Sequence, residues 1–160
     1  MSYQQDVDDA AAKLRDAFTT DDVNHALGTA FTTVLQASGF QVDMSSAPGM
    51  YIEAVRSGFY DRSTQLLPGR YRECAVVALL ASQGADANLG YHLFIALMVG
   101  ISANDVYDIL LLTGVYAGVN RLTAALGVAR TTFDAVIYAA HDGVKTPGDV
   151  FARIKKAVGP

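Results

Sequence analysis

The sequence predicts an all-α protein of about seven helices that assembles as an oligomer, and three observations carry this. Helix-start signals recur: Ser102 with Asp105 three residues later resembles a capping box, and Thr146-Pro147-Gly148-Asp149 offers a cap, a first-turn proline and an acid at the third position. Eight consecutive small or apolar residues from Cys74 to Ala81, and seven from Leu93 to Val99, read as helices buried nearly all round, while strand punctuation is scarce. Charged residues make up 18% of the 160 residues. An average soluble chain carries about 25%, so part of the surface is expected to be buried against copies of the same chain.

Taken in order, Asp8 to Phe18 reads as a short amphipathic helix with Leu14 and Phe18 four apart. Thr20 or Asp21 is the expected cap of a second helix running to about Ser38, with Ala26, Ala30, Thr33 and Val34 near one face and Gly39 as its stop. A connector over 39–47 leads to Pro48, which opens a helix through Tyr51, Ile52 and Val55 to about Phe59. A second connector, Asp61 to Gly69, contains Pro68-Gly69. The two apolar helices follow, the first closed by Gly84. Ser102 then introduces a long helix from Ala103 toward Leu126, on which Gly114 and Gly118 clear a flat strip for close helix contact. Thr132 is the expected cap of the next helix, which ends at His141 with Gly143 as a left-handed terminator. The last helix carries Arg153, Lys155 and Lys156 toward its C-terminal end, where the helix dipole favours cations.

Composition narrows the function. Twelve Lys plus Arg against sixteen Asp plus Glu give a net charge of −4, without the basic excess of a nucleic-acid binder. The polar, acidic start Met1-Ser2-Tyr3-Gln4-Gln5-Asp6 lacks the regions of a signal peptide, and apolar stretches stay well short of the roughly 18 residues that suggest a membrane span. The expectation is a cytoplasmic protein with no nucleic-acid and no membrane partner. Single Cys74 excludes an intrachain disulfide and any CxxC pair. No phosphate loop, nucleophile elbow, dinucleotide fingerprint or local histidine motif is present, so neither cofactor nor metal is expected.

Glu73 and His92 are the residues that pose a chemical question. Glu73 shares a helix face with Val76, Val77 and Leu80, and His92 shares one with Ile95, Ala96 and Val99. An ionisable group on an apolar stripe is costly unless it is paired, hydrogen-bonded or neutral. If the two meet, the carboxylate fixes the imidazole tautomer and the other ring nitrogen can take or give a proton. The bland alternative is a satisfied core histidine, with Glu73 bonded to Arg72 or Arg70. Sequence leaves both open, because the two residues need not be adjacent in an antiparallel hairpin. Cys74 reads as a small core filler, its thiol pKa raised by apolar neighbours and Glu73. His141 suits a helix C-terminus and His25 an exposed position. Tyr107 and Tyr116 either line a pocket or are core aromatics.

Arg72-Glu73 opening an apolar helix, Gly84 closing it, His92 nineteen residues after Glu73, Ala96-Leu97, Gly100 and Tyr116-Ala117-Gly118 together resemble the carboxymuconolactone decarboxylase family, which includes the AhpD-type alkylhydroperoxidases. The resemblance covers about residues 60–129. It implies an AhpD-like helical bundle assembling as trimers or hexamers, with residues 61–160 as the family core and 1–60 as an N-terminal helical extension of one compact domain. In the AhpD branch a CxxC pair precedes the histidine by seven and four residues; those positions here are Ala85 and Asn88. The decarboxylase branch also lacks that pair and keeps the histidine. This branch implies loss of CO2 from a carboxylated lactone, with His92 as proton donor or acceptor and Glu73 as its orienter. A small anionic substrate also needs a cation or a polar contact, for which Arg72, Arg121 and Tyr116 are the candidates. The alternatives are a peroxidase-like antioxidant protein and a non-catalytic oligomeric binding module on the same scaffold.

Overall fold

The computed structural model describes residues 2–37, 45, 49, 50, 54 and 67–159, and the side chains of 30–37 lie outside that description. Among the described residues there are seven helices and no strand. They are α1 (Tyr3–Ala17), α2 (Thr20–Ala37), α3 (Gly69–Gln83), α4 (Asp86–Met98), α5 (Ala103–Ala117), α6 (Val119–Asp142) and α7 (Pro147–Val158). Most of the helix expected after Pro48 and of its flanking connectors falls outside the described residues; of that helix only Gly49, Met50 and Ala54 are described, and they are helical.

α4 is the axis of the molecule. Leu89, Leu93, Phe94, Ile95, Ala96 and Leu97 are fully buried, as a helix without a polar face must be. α3, α6 and α7 pack around it. α6 turns a stripe of Ala125, Val128, Ala129, Phe133, Val136 and Ala139 inward, at the spacing of one helical face. α1 adds Val7, Ala10, Ala11 and Leu14 to the same core. It is also fastened by polar contacts: Asp8 accepts the Ala103 N–H at 2.8 Å, capping α5 from outside, and Arg15 donates to the Leu97 carbonyl at 2.6 Å, near the C-terminus of α4. No helix among the described residues is long and apolar enough to cross a membrane.

Several expected helix ends are present. Capping boxes form at Ser102/Asp105 and Thr146/Asp149, and Gly84 and Gly143 terminate α3 and α6 in the left-handed conformation. Four boundaries differ. Ser2 accepts from the Gln5 N–H and starts α1 five residues before Asp8. Thr19, rather than Thr20 or Asp21, caps α2 by exchanging hydrogen bonds with Asp22. The long helix expected to run through Gly118 breaks there, because Gly118 adopts φ 94° and joins α5 to α6. Thr132 is not a cap. It is fully buried in mid-α6, where a side chain with one methyl and one hydroxyl fits beneath Gly90.

Gly90 marks the tightest packing around α4. A Cβ there would stand 2.9 Å from Ile154 Cγ2 and 3.1 Å from Thr132 Oγ1. Gly90→Ala should therefore cost about 1–3 kcal/mol by overpacking, read as a lowered melting temperature. A melt equal to wild type would show that α7 yields freely. Of the expected Gly114/Gly118 strip only Gly114 makes a close approach: a Cβ there would meet Leu122 Cβ at 2.8 Å, so α5 and α6 pack tightly, whereas Gly118 is the break between them.

Candidate active site

Glu73 lies in the second turn of α3 and His92 in the middle of α4, and the structure brings them into contact. Glu73 Oε2 is 2.8 Å from His92 Nδ1, and Glu73 Oε1 accepts from Arg72 Nε at 2.8 Å. The two pairings that the sequence offered as alternatives therefore hold together, one on each carboxylate oxygen. Arg70 is not part of the cluster; it pairs with Asp105 at 3.1 Å.

Burial sets the roles available to the three side chains. Glu73 is 0% exposed and Arg72 4%, whereas His92 is 13% exposed and is the member that solvent reaches. A buried carboxylate is tolerable only when its lone pairs are engaged, and here each oxygen has a charged or N–H partner. Against Glu73 as a carboxylate, which only accepts, Nδ1 is the donor in this contact. Arg72 is thereby placed as a clamp on Glu73. Its adjacency to Glu73 in sequence is the signal for that role, and the bond to Glu73 is the one the sequence offered beside the substrate-binding role.

The remaining candidates stand apart from this trio. The Arg121 guanidinium lies directly over Gly84, eleven residues along α3 from Glu73 and so roughly 16 Å of helix away. Tyr116 is 85% exposed near the end of α5 and points to solvent. Tyr107 is a partly buried aromatic, its ring edge-to-face with Phe133 at 5.8 Å. His141 is exposed at the end of α6 beside Asp142. Ala85 caps α4 and Asn88 occupies its first turn, so the helix start carries no thiols.

Cys74 is partly buried against the core. Burial pushes its thiol up from the usual range, opposed by Arg70 and reinforced by Asp105 and Glu73. A raised pKa keeps the nucleophilic thiolate scarce at neutrality and lets it grow only as pH climbs. Iodoacetamide should therefore label Cys74 slowly at pH 7 and faster as pH rises beyond 9. Fast, pH-independent labelling would contradict this environment.

Fold and site together define an all-helical protein in which a buried carboxylate holds a histidine at the edge of solvent. The family model described as carboxymuconolactone decarboxylase family matches residues 51–131, about half of the chain, and the chain belongs to that family. The matched span contains Arg72, Glu73 and His92. No curated protein and no solved structure matches the chain.

Proposed function

We propose that the chain is a carboxymuconolactone decarboxylase-like lyase that needs no cofactor and acts on a small carboxylate or lactone. The hydrogen bond between Glu73 and His92 carries this reading. In a carboxylated lactone the bond to the carboxylate carbon breaks, CO2 leaves, and the electron pair passes into the ring carbonyl as a dienolate. Imidazolium His92 then delivers the Nε2 proton to carbon and regains a proton from water. Glu73 holds the ring through Nδ1 and stabilises the imidazolium, and Arg72 holds Glu73. The family's thiol chemistry requires two cysteines, and this chain has one.

The test is turnover of a small carboxylated lactone in D2O. CO2 release with one deuteron on the carbon that lost it, both abolished in His92→Asn, is the expected result. Peroxide consumption lost on alkylating Cys74 would instead favour a peroxidase, and binding without turnover a non-catalytic module.

The same reading includes a homo-oligomer, a trimer or hexamer. Leu111, Leu112, Val115 and Tyr116 follow one helical face of α5, Val119 opens α6, and all five are at least half exposed. Such a face, on a chain short of charge, suits a second copy. Sedimentation as a 17.0 kDa species at micromolar concentration would contradict it.

A further inference from the structure

On the other side of α4 from His92 lies a cavity of about 740 Å³, walled by α2 and α7. Consecutive residues divide the two sides: His92 meets Glu73 of α3, whereas the Tyr91 ring stands edge-to-face with Phe151 of α7 at 5.3 Å. The volume lies within the range of small-molecule sites, about 300–1,000 Å³. Three aromatic rings, Phe18, Tyr91 and Phe151, line it, each more than nine-tenths buried. Lys145 and Lys155 stand at the two ends of the α7 wall.

Two features suit this cavity to a ligand rather than to solvent alone. Tyr91 is 8% exposed and lines the cavity, yet its hydroxyl makes no hydrogen bond among the described residues. Burial raises its pKa, so at neutral pH the phenol is a proton-bearing donor. The hydroxyl is not sealed off from the cavity, and a ligand oxygen there would accept a hydrogen bond from it. The rim charges are the second feature. Asp22 also lines the cavity, but its carboxylate is engaged by the Thr19 backbone N–H and hydroxyl at 2.8 and 2.7 Å. Two lysines against one occupied carboxylate leave a net positive rim.

We propose that the cavity between α2 and α7 is a second ligand site, taking a small monocarboxylate whose apolar body lies on Phe18 and Phe151. The carboxylate reaches a rim lysine and the Tyr91 hydroxyl. An aliphatic alcohol of the same length lacks the charge, and an alkylammonium carries the wrong sign.

The test is titration of the full chain with octanoate, octanol and octylammonium, followed by calorimetry and by amide shifts. Octanoate is expected to bind, perturbing amides at Phe18, His25, Tyr91 and Phe151, with octanol and octylammonium at least ten-fold weaker. Lys145→Gln combined with Lys155→Gln should weaken octanoate about ten-fold, and Tyr91→Phe about five-fold. The two lysines are exposed, so the double variant should fold as wild type does. The proposal is overturned if octanoate fails to bind at millimolar concentration. Equal affinity for octanol, affinity indifferent to the lysines, or shifts centred on His92 instead of Tyr91 would each also overturn it.

Discussion

Asparagine in place of His92 should lower turnover of a carboxylated lactone by about 10²–10⁴-fold, the usual worth of a positioned acid–base group. Asparagine keeps a hydrogen-bonding side chain beside Glu73 Oε2 but carries no proton that titrates near neutrality. Its melting temperature should stay close to wild type, because His92 is the most exposed of the three linked side chains. The paired readout separates two failures. A variant that folds and turns over at the wild-type rate removes His92 from the reaction. One that unfolds makes the ring a structural core histidine.

Glu73→Ala should have the largest effect on stability. The carboxylate is fully buried and accepts from both Arg72 and His92, so its loss removes the counter-charge of a guanidinium that is 4% exposed. Removing one partner of a buried ion pair costs about 3–5 kcal/mol. For a chain of this size that corresponds to a fall in Tm of about 6–20 °C. Glu73→Gln keeps the shape and one acceptor oxygen, and should lose less. A melt of Glu73→Ala within a degree or two of wild type would mean that the cluster contributes nothing to holding α3 against α4.

Much of the helical punctuation could be read locally. The caps at Ser102 and Thr146 and the left-handed ends at Gly84 and Gly143 depend on residues within a turn of each other, and they form as the spacing implies. What failed depended on context that spacing does not carry. Gly114 and Gly118 are four apart, which suits a packing strip and a chain break equally well; only the positive φ at Gly118 separates the two. Thr132 has a good capping side chain, yet it sits beneath Gly90 on a neighbouring helix, and that contact is forty-two residues away in sequence. The clamps from α1 are longer-range still, with Arg15 reaching Leu97 across eighty-two residues.

The site was partly legible for the same reason. Two ionisable residues on apolar faces had to find partners, which singled out Glu73 and His92 before their contact was visible. The double use of Glu73 was not legible, because it needs α3 and α4 packed so that one oxygen meets a neighbour in sequence and the other a residue nineteen positions on. Nor was the α2–α7 cavity, whose lining combines residues from 17 to 155.

The account rests on Glu73 holding His92 with the proton on Nδ1 and Nε2 turned to the reacting molecule. The most direct test is ¹⁵N NMR of the His92 ring across a pH titration, in wild type and in Glu73→Gln. The account predicts that, once the ring is neutral, Nδ1 shows the shift of a protonated nitrogen and Nε2 that of an unprotonated one. It further predicts that Glu73→Gln weakens this preference. A neutral His92 protonated on Nε2 in the wild type, or a tautomer indifferent to Glu73, would contradict it.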